Sequence, residues 1–108
     1  MPAIQTVTIE ENAAKSSIET DPSVDCSSFK VDERFVRRYF ARAKLVPPEE
    51  GHERLTWSAC YAAGTMRLRN GQSASWYISQ AKVGELTVDG QAANKLYCPA
   101  CKDKPLTW

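Results

Sequence analysis

The spacing of apolar residues predicts one helix in the first half of the chain. From residue 29 to residue 43 the apolar residues recur with a helical period and form a single stripe. The stripe consists of Phe35, Val36, Tyr39, Phe40 and Ala43. Asp32 is suited to cap the helix N-terminus, and the two prolines at 47 and 48 prevent the helix from continuing. We therefore expect an amphipathic helix with one face packed on a sheet.

Beyond the prolines the apolar period changes from helical to alternating, which predicts strands. Residues 65–69 and 73–79 lie on either side of Asn70 and Gly71, a pair typical of hairpin turns. A three-residue loop at 69–71, with Gly71 left-handed, sorts apolar and polar side chains onto separate faces, whereas a two-residue loop mixes them. The preferred register pairs Met66 with Ala74, Gly64 with Trp76 and Ala62 with Ile78.

Two further strands are predicted, near residues 85–88 and 94–98. The expected fold class is α+β, with one N-terminal amphipathic helix packed on a four-stranded antiparallel β-meander and stabilised by disulfides. Residues 1–25 are acidic and lack aromatic side chains, so we expect a mobile acidic tail followed by a single domain over 26–108. The alternation within residues 4–9 allows a second interpretation, in which this part pairs with a sheet edge.

Length and charge limit the possible functions. A chain of 108 residues has room for one domain with a small core, and its formal net charge of +1 is not that of a typical nucleic-acid-binding protein. No apolar run reaches the roughly 18 residues needed to span a bilayer, and no phosphate-binding glycine loop is present. We expect no cofactor, no nucleic acid and no membrane span. The first residues do not resemble a signal peptide, so the sequence itself does not show export.

The four cysteines, Cys26, Cys60, Cys98 and Cys101, offer the most specific chemistry in the sequence. In a small domain an even number favours disulfides, typically worth about 2 to 4 kcal/mol each, and an oxidising compartment. A zinc site and reduced thiols remain as alternatives. Of the three disulfide connectivities, we favour one C-terminal cysteine bonded to Cys60 and the other to Cys26, which requires the sheet to curl or the last strand to fold back.

Several short motifs between residues 29 and 101 resemble those of small uncharacterised exported proteins of Gram-negative bacteria. They are RRYF (37–40), WSAC (57–60), Gly64, NG (70–71), WYI (76–78), GEL (84–86), DG (89–90) and LYCPAC (96–101). The resemblance implies a periplasmic location and paired cysteines. It supplies no catalytic residues.

No group of residues predicts an enzyme. His52 is the sole histidine and lies among charged residues in a predicted loop, which is typical of a solvated side chain. The carboxylate pairs at 10–11 and 49–50 are adjacent in sequence, and adjacency does not give the convergent geometry of an acid and a base. The C-x-x-C pair at 98–101 is not followed by the helix that activates thioredoxin-like cysteines.

Aromatic and arginine side chains supply a candidate interaction surface. These side chains are Tyr61, Arg67 and Tyr77 on the open face of the predicted sheet and Arg34, Arg38 and Arg42 on the exposed face of the predicted helix. The favoured function is a non-enzymatic exported binding protein, periplasmic or secreted, that acts on another protein as an inhibitor or immunity-type protein. The alternative is a cytoplasmic cysteine-dependent module with a structural zinc site or thiol–disulfide exchange.

Overall fold

The computed structural model describes residues 3–17, 19–46, 58–99 and 101, and it shows one antiparallel sheet and one helix in them. The elements are β1 (Ile4–Lys15), α1 (Glu33–Arg42), β2 (Lys44–Leu45), β3 (Cys60–Leu68), β4 (Ser73–Ser79), β5 (Val83–Val88) and β6 (Asn94–Tyr97). The strands lie side by side in the order β1-β3-β4-β5-β6-β2. Within these described ranges no helix is long and apolar enough to cross a membrane.

The predicted α+β architecture, an N-terminal helix on a four-stranded meander, is wrong. The protein is mostly β, because α1 has only 10 residues and follows a strand of 12 residues. The predicted meander corresponds to β3 through β6, and the sheet extends beyond it at both edges. β1 pairs with β3 and β2 pairs with β6, both antiparallel. The chain between these two edge strands contains α1, which covers one face of the sheet.

β1 lies within the segment predicted as a mobile acidic tail. Its side chains Val7 and Ile9 are half-buried and pack against the core. The carboxylates of Glu10 and Glu11 remain exposed to solvent. An acidic strand is compatible with a sheet edge, because its apolar residues enter the core while its charges stay in water. The second interpretation of the alternation in residues 4–9, pairing with a sheet edge, is confirmed.

The predicted hairpin register is confirmed in β3 and β4. The observed pairs include Met66 with Ala74, Gly64 with Trp76 and Ala62 with Ile78. Gly71 has a φ angle of +90° and donates its N–H to the carbonyl of Leu68 at 3.0 Å. This left-handed residue closes the three-residue loop at 69–71. A loop of that length is the one that puts apolar and polar side chains on separate faces of the sheet. The strands predicted near 85–88 and 94–98 are present as β5 and β6.

The amphipathic helix is confirmed, and its cap is the predicted one. The Asp32 carboxylate accepts a hydrogen bond from the backbone N–H of Phe35 at 2.8 Å, which satisfies a free donor of the first turn. The ring of Phe40 meets that of Trp76 edge to face, with centroids 6.5 Å apart. The buried residues of α1 are Phe35, Val36, Tyr39 and Phe40. The apolar stripe therefore faces the sheet and forms the core with it.

Tyr39 anchors the end of α1 to the turn between β4 and β5. The residue is 1% exposed, and its hydroxyl donates to the carbonyl of Lys82 at 2.7 Å. Its ring occupies the space above Gly84, where a Cβ atom would lie 2.7 Å from the tyrosine oxygen. Burial raises the pKa of Tyr39, and the neighbouring phenol of Tyr97 raises it further. The hydroxyl therefore remains a proton donor well above neutral pH.

Replacing Tyr39 with phenylalanine should reduce both stability and its dependence on alkaline pH. Loss of the hydrogen bond to Lys82 should lower the free energy of unfolding by about 1 kcal/mol at pH 7. Because the pKa of Tyr39 is raised on folding, its contribution is complete below the unfolded value of 10.0 and is lost as pH rises above it. Urea unfolding between about pH 7 and 11 should show the stability difference shrinking. A constant difference would contradict this assignment.

Candidate functional site

All four cysteines form disulfide bonds, Cys26 with Cys60 and Cys98 with Cys101. The first bond joins the loop before α1 to the start of β3, and the second closes a short loop after β6. The predicted bonds from the C-terminal cysteines to Cys60 and Cys26 are wrong. β3 and β6 lie three strand spacings apart, roughly 14 Å, which no disulfide spans. The loop before α1 instead brings Cys26 within 5.2 Å of Cys60, measured between Cα atoms.

The bonded cysteines limit what cysteine chemistry this protein has. Zinc binding requires thiolates, and each sulfur here is already bonded to another. Across the described ranges no other group of His, Cys, Asp or Glu side chains is arranged to hold a metal ion. Cys98 and Cys101 are 1% and 2% exposed, so an attacking thiolate has little access to this disulfide. Two disulfides suit an oxidising compartment.

The sheet face opposite α1, called the open face here, carries a pair of stacked tyrosine rings. Tyr61 on β3 and Tyr77 on β4 have centroids 5.3 Å apart and ring planes inclined by 29°. Tyr61 pairs with Ser79 and Tyr77 with Ala63, so the two rings are diagonal neighbours within reach of each other. The Tyr61 hydroxyl donates to the carboxylate of Glu11 on β1. Three neighbouring strands thus contribute to one aromatic cluster.

The environment of both tyrosines keeps their hydroxyls neutral. The hydrogen bond to Glu11 raises the pKa of Tyr61, with burial as a smaller cause. Burial raises the pKa of Tyr77, and the carboxylate of Glu85 raises it further. Both hydroxyls are therefore uncharged at physiological pH. A neutral tyrosine offers an apolar ring and a polar tip together, a combination enriched in protein interfaces.

Polar and charged side chains surround the tyrosine pair on the open face. Arg67 is exposed on β3 and lies opposite Ser73, which places it at the hairpin end of the face. Glu85 on β5 is the cross-strand neighbour of both Tyr77 and Lys95. A row of hydroxyl side chains crosses four strands between these groups: Thr8, Thr65, Ser75 and Thr87. The open face is thus an aromatic centre with a polar surround.

The predicted interaction surface is divided between two sides of the molecule. Arg34, Arg38 and Arg42 follow one another along α1 at intervals of one turn, outside its buried stripe. Because α1 lies on the other face of the sheet, these arginines are separated from Tyr61 and Tyr77 by the sheet itself. A single flat partner surface cannot contact both groups. Of the six predicted residues, Tyr61, Arg67 and Tyr77 share one face of the sheet, and only the two tyrosines are in contact.

Several residues considered in the sequence lie outside the described part of the structure. They are Glu49, Glu50, His52 and Trp57. The interpretations of His52 as a solvated side chain and of Glu49 and Glu50 as a pair without acid–base geometry therefore stay predictions. Tyr97 is half-buried on β6.

A groove of about 920 Å³, called the helix-side groove here, lies on the α1 side of the sheet. Its lining includes Phe40, Leu45, Arg69, Leu86, Val88 and Leu96. These residues come from α1, β2, the β3–β4 turn, β5 and β6, which form a groove only once the sheet is assembled. Sequence reasoning missed this groove. The one local signal in the sequence is the position of Leu45, an apolar residue close to the two prolines that follow the helix.

The fold and these two surfaces define a small, disulfide-stabilised protein of the antiparallel β class with one covering helix. No known protein family, no curated protein and no solved structure matches the chain. The resemblance of its motifs to exported proteins of Gram-negative bacteria therefore stays a prediction.

Proposed function

We propose that this protein is a non-enzymatic, exported binding protein that recognises another protein through its open face. The observation that carries the proposal is the stacked pair of Tyr61 and Tyr77 on the sheet face that α1 does not cover. Most of the energy of a protein interface comes from a few aromatic and arginine side chains surrounded by polar groups. The open face has this composition, with Arg67 as its arginine.

The shape of the open face favours a protein partner over a small ligand. Ligand pockets are concave and enclose most of their ligand, whereas a sheet face presents its side chains across a broad surface. The Tyr61 ring is held in place by stacking and by its hydrogen bond to Glu11. Such fixed rings lose little conformational entropy when a partner binds, which increases their contribution to affinity.

The exported location and the inhibitor or immunity role belong to the same proposal. Two disulfide bonds support an oxidising environment such as the periplasm or the extracellular space. A small domain that binds a second protein and carries no catalysis of its own is suited to block or neutralise that protein. The cytoplasmic zinc or thiol-exchange alternative has less support, because it requires free thiolates.

Substituting both tyrosines should strongly weaken partner binding. We expect Tyr61→Ala/Tyr77→Ala to weaken binding about thirtyfold or more, because two aromatic hot-spot side chains are removed. The measurement begins with capture from a periplasmic or culture-medium extract of the source organism by immobilised wild-type protein. A protein identified in this way is then purified, and its affinity for wild type and variant is measured by isothermal titration calorimetry.

The matched control for this experiment is Arg34→Ala/Arg42→Ala, which changes exposed side chains on α1. This variant should retain wild-type affinity, since its positions lie on the other side of the sheet. Circular dichroism should show that both variants fold. Equal affinity of the tyrosine variant and wild type for the captured partner, or greater loss in the helix variant, would contradict the assignment of the interface to the open face.

A further inference from the structure

We propose that the helix-side groove binds an amphipathic anion, specifically a single-chain aliphatic carboxylate. This site is separate from the open face and does not depend on the protein interaction proposed above. The groove has an apolar floor, a positively charged rim and a volume that suit such a ligand.

The floor of the groove is formed by core side chains that remain accessible from one side. Phe40, Leu86, Val88 and Leu96 are 5%, 5%, 8% and 7% exposed, and all four line the groove. They belong to one hydrophobic cluster, to which β5 contributes Leu86 and Val88, β6 contributes Leu96 and α1 contributes Phe40. Burying an aliphatic chain against such a surface is favourable by about threefold in affinity per methylene group.

The rim contains one apolar side chain whose exposure has no explanation in the folded core. Leu45 is 68% exposed and is the one exposed large hydrophobic side chain of the described ranges. It lies on β2 and lines the groove. An apolar ligand in the groove would cover part of Leu45, and this contact would lengthen the apolar path beyond the floor.

The charge of the lining favours an anion. Two arginines, Arg37 and Arg69, line the groove, and the described lining contains no acidic residue. The guanidinium of Arg37 is held by Glu33 and by the carbonyls of Ile4 and Gln5, at 2.8 to 3.0 Å. Arg69 makes no side-chain hydrogen bond or ion pair to any described residue and is exposed at the hairpin turn. Its planar fork therefore has no partner among the described residues and can receive a carboxylate.

The volume of the groove fits a ligand of this kind. Small-molecule sites typically measure roughly 300 to 1,000 Å³ and combine an apolar lining with a few polar groups that orient the ligand. At about 920 Å³ the groove lies within this range. The amide side chains of Gln72, Gln91 and Asn94 complete the polar part of the lining. An aliphatic chain on the floor and a carboxylate at Arg69 would use both parts of the site.

The test uses hexanoate, octanoate and decanoate, each below its micellar concentration, in isothermal titration calorimetry with the full chain. We expect affinity to rise about threefold per methylene group. Decyltrimethylammonium, which has the same chain and the opposite charge, should bind at least tenfold more weakly than decanoate. Acetate should not bind measurably. Absence of decanoate binding, or equal binding of the cationic probe, would overturn the proposal.

Variants locate the carboxylate and distinguish this site from other surfaces. Arg69→Gln should weaken decanoate binding about tenfold or more, whereas Arg34→Gln, with the same change of charge on the outer side of α1, should leave it unchanged. Tyr61→Ala/Tyr77→Ala should also leave it unchanged. An equal loss of decanoate affinity in Arg69→Gln and Arg34→Gln would indicate a general charge effect and would contradict the placement of the carboxylate at Arg69. Binding of a peptide with an aliphatic C-terminal residue, but not of decanoate, would overturn the assigned ligand class.

Discussion

Replacing Cys26 and Cys60 together with alanine is expected to lower the free energy of unfolding by about 4 kcal/mol at 25 °C. These cysteines are separated by 34 positions, so their bond restricts a long loop in the unfolded chain. The bond also fixes the segment before α1 to the first residue of β3. The loss should be measured by urea unfolding at pH 7, and it represents a large share of the stability of a small domain.

The second disulfide provides the matched control for this prediction. Cys98 and Cys101 are separated by only 3 positions, and the same loop-closure relation gives about 2 kcal/mol for their removal. Labelling of the unfolded wild-type protein with a thiol reagent should find no free thiols before reduction. A larger loss for the C-terminal pair, or free thiols in the oxidised protein, would contradict the observed connectivity.

Replacing Gly64 with alanine is expected to lower the free energy of unfolding by about 3 kcal/mol. A Cβ atom at this position would lie 2.0 Å from the carbonyl oxygen of Thr8 and 3.1 Å from the backbone nitrogen of Glu10. These are backbone atoms of β1, so no side chain can rotate away to relieve the overlap. β1 would have to move away from β3, and its pairing and apolar contacts would be weakened.

Gly71→Ala is the appropriate control, because it adds the same Cβ atom where nothing lies within 4 Å. Its cost should be about 1 kcal/mol and should come only from the positive φ angle. Hydrogen exchange should show faster exchange of the β1 amides in Gly64→Ala than in this control. Equal losses of stability in the two variants would contradict the close approach of β1 to Gly64.

The parts of the fold that were predictable from the sequence are those set by local contacts. The β3–β4 register follows from the Asn70-Gly71 turn and from alternation within a few residues, and α1 follows from its periodic stripe and from Asp32. Both signals lie within about one element length, so no knowledge of the topology was needed. The type and position of these elements could therefore be derived directly.

The wrong predictions concern pairings between distant segments. The acidic composition of residues 1–25 predicts a mobile tail, although the alternation in residues 4–9 allows the edge strand that the structure has there. β2 has only two residues, Lys44 and Leu45, and a strand of that length has no recognisable period. The expected disulfide connectivity follows from a four-stranded meander, in which the start of the first strand and the end of the last strand lie at the same end of the sheet. That the loop before α1 places Cys26 beside Cys60 can be derived only when the strand order is known.

For the candidate site too, only the features set within one strand could be predicted from the sequence. Tyr61, Arg67 and Tyr77 could be assigned to one sheet face because alternation determines the face of each strand residue. The separation of that face from the helix arginines depends on which side of the sheet α1 covers. The helix-side groove depends on six segments meeting, β1 included, and its key arginine, Arg69, has no special pattern in the sequence.

The pairing of β1 with β3 also has a consequence for synthesis of the chain. Ile4 pairs with Leu68, and Lys15 pairs with Cys60, so β1 leaves the ribosome long before its neighbouring strand exists. Such distant pairing adds to the loop-closure cost and slows folding, while the later meander can form from neighbouring segments. Until β3 is synthesised, the carboxylates of Glu10 and Glu11 would help to prevent aggregation of the unpaired β1 segment.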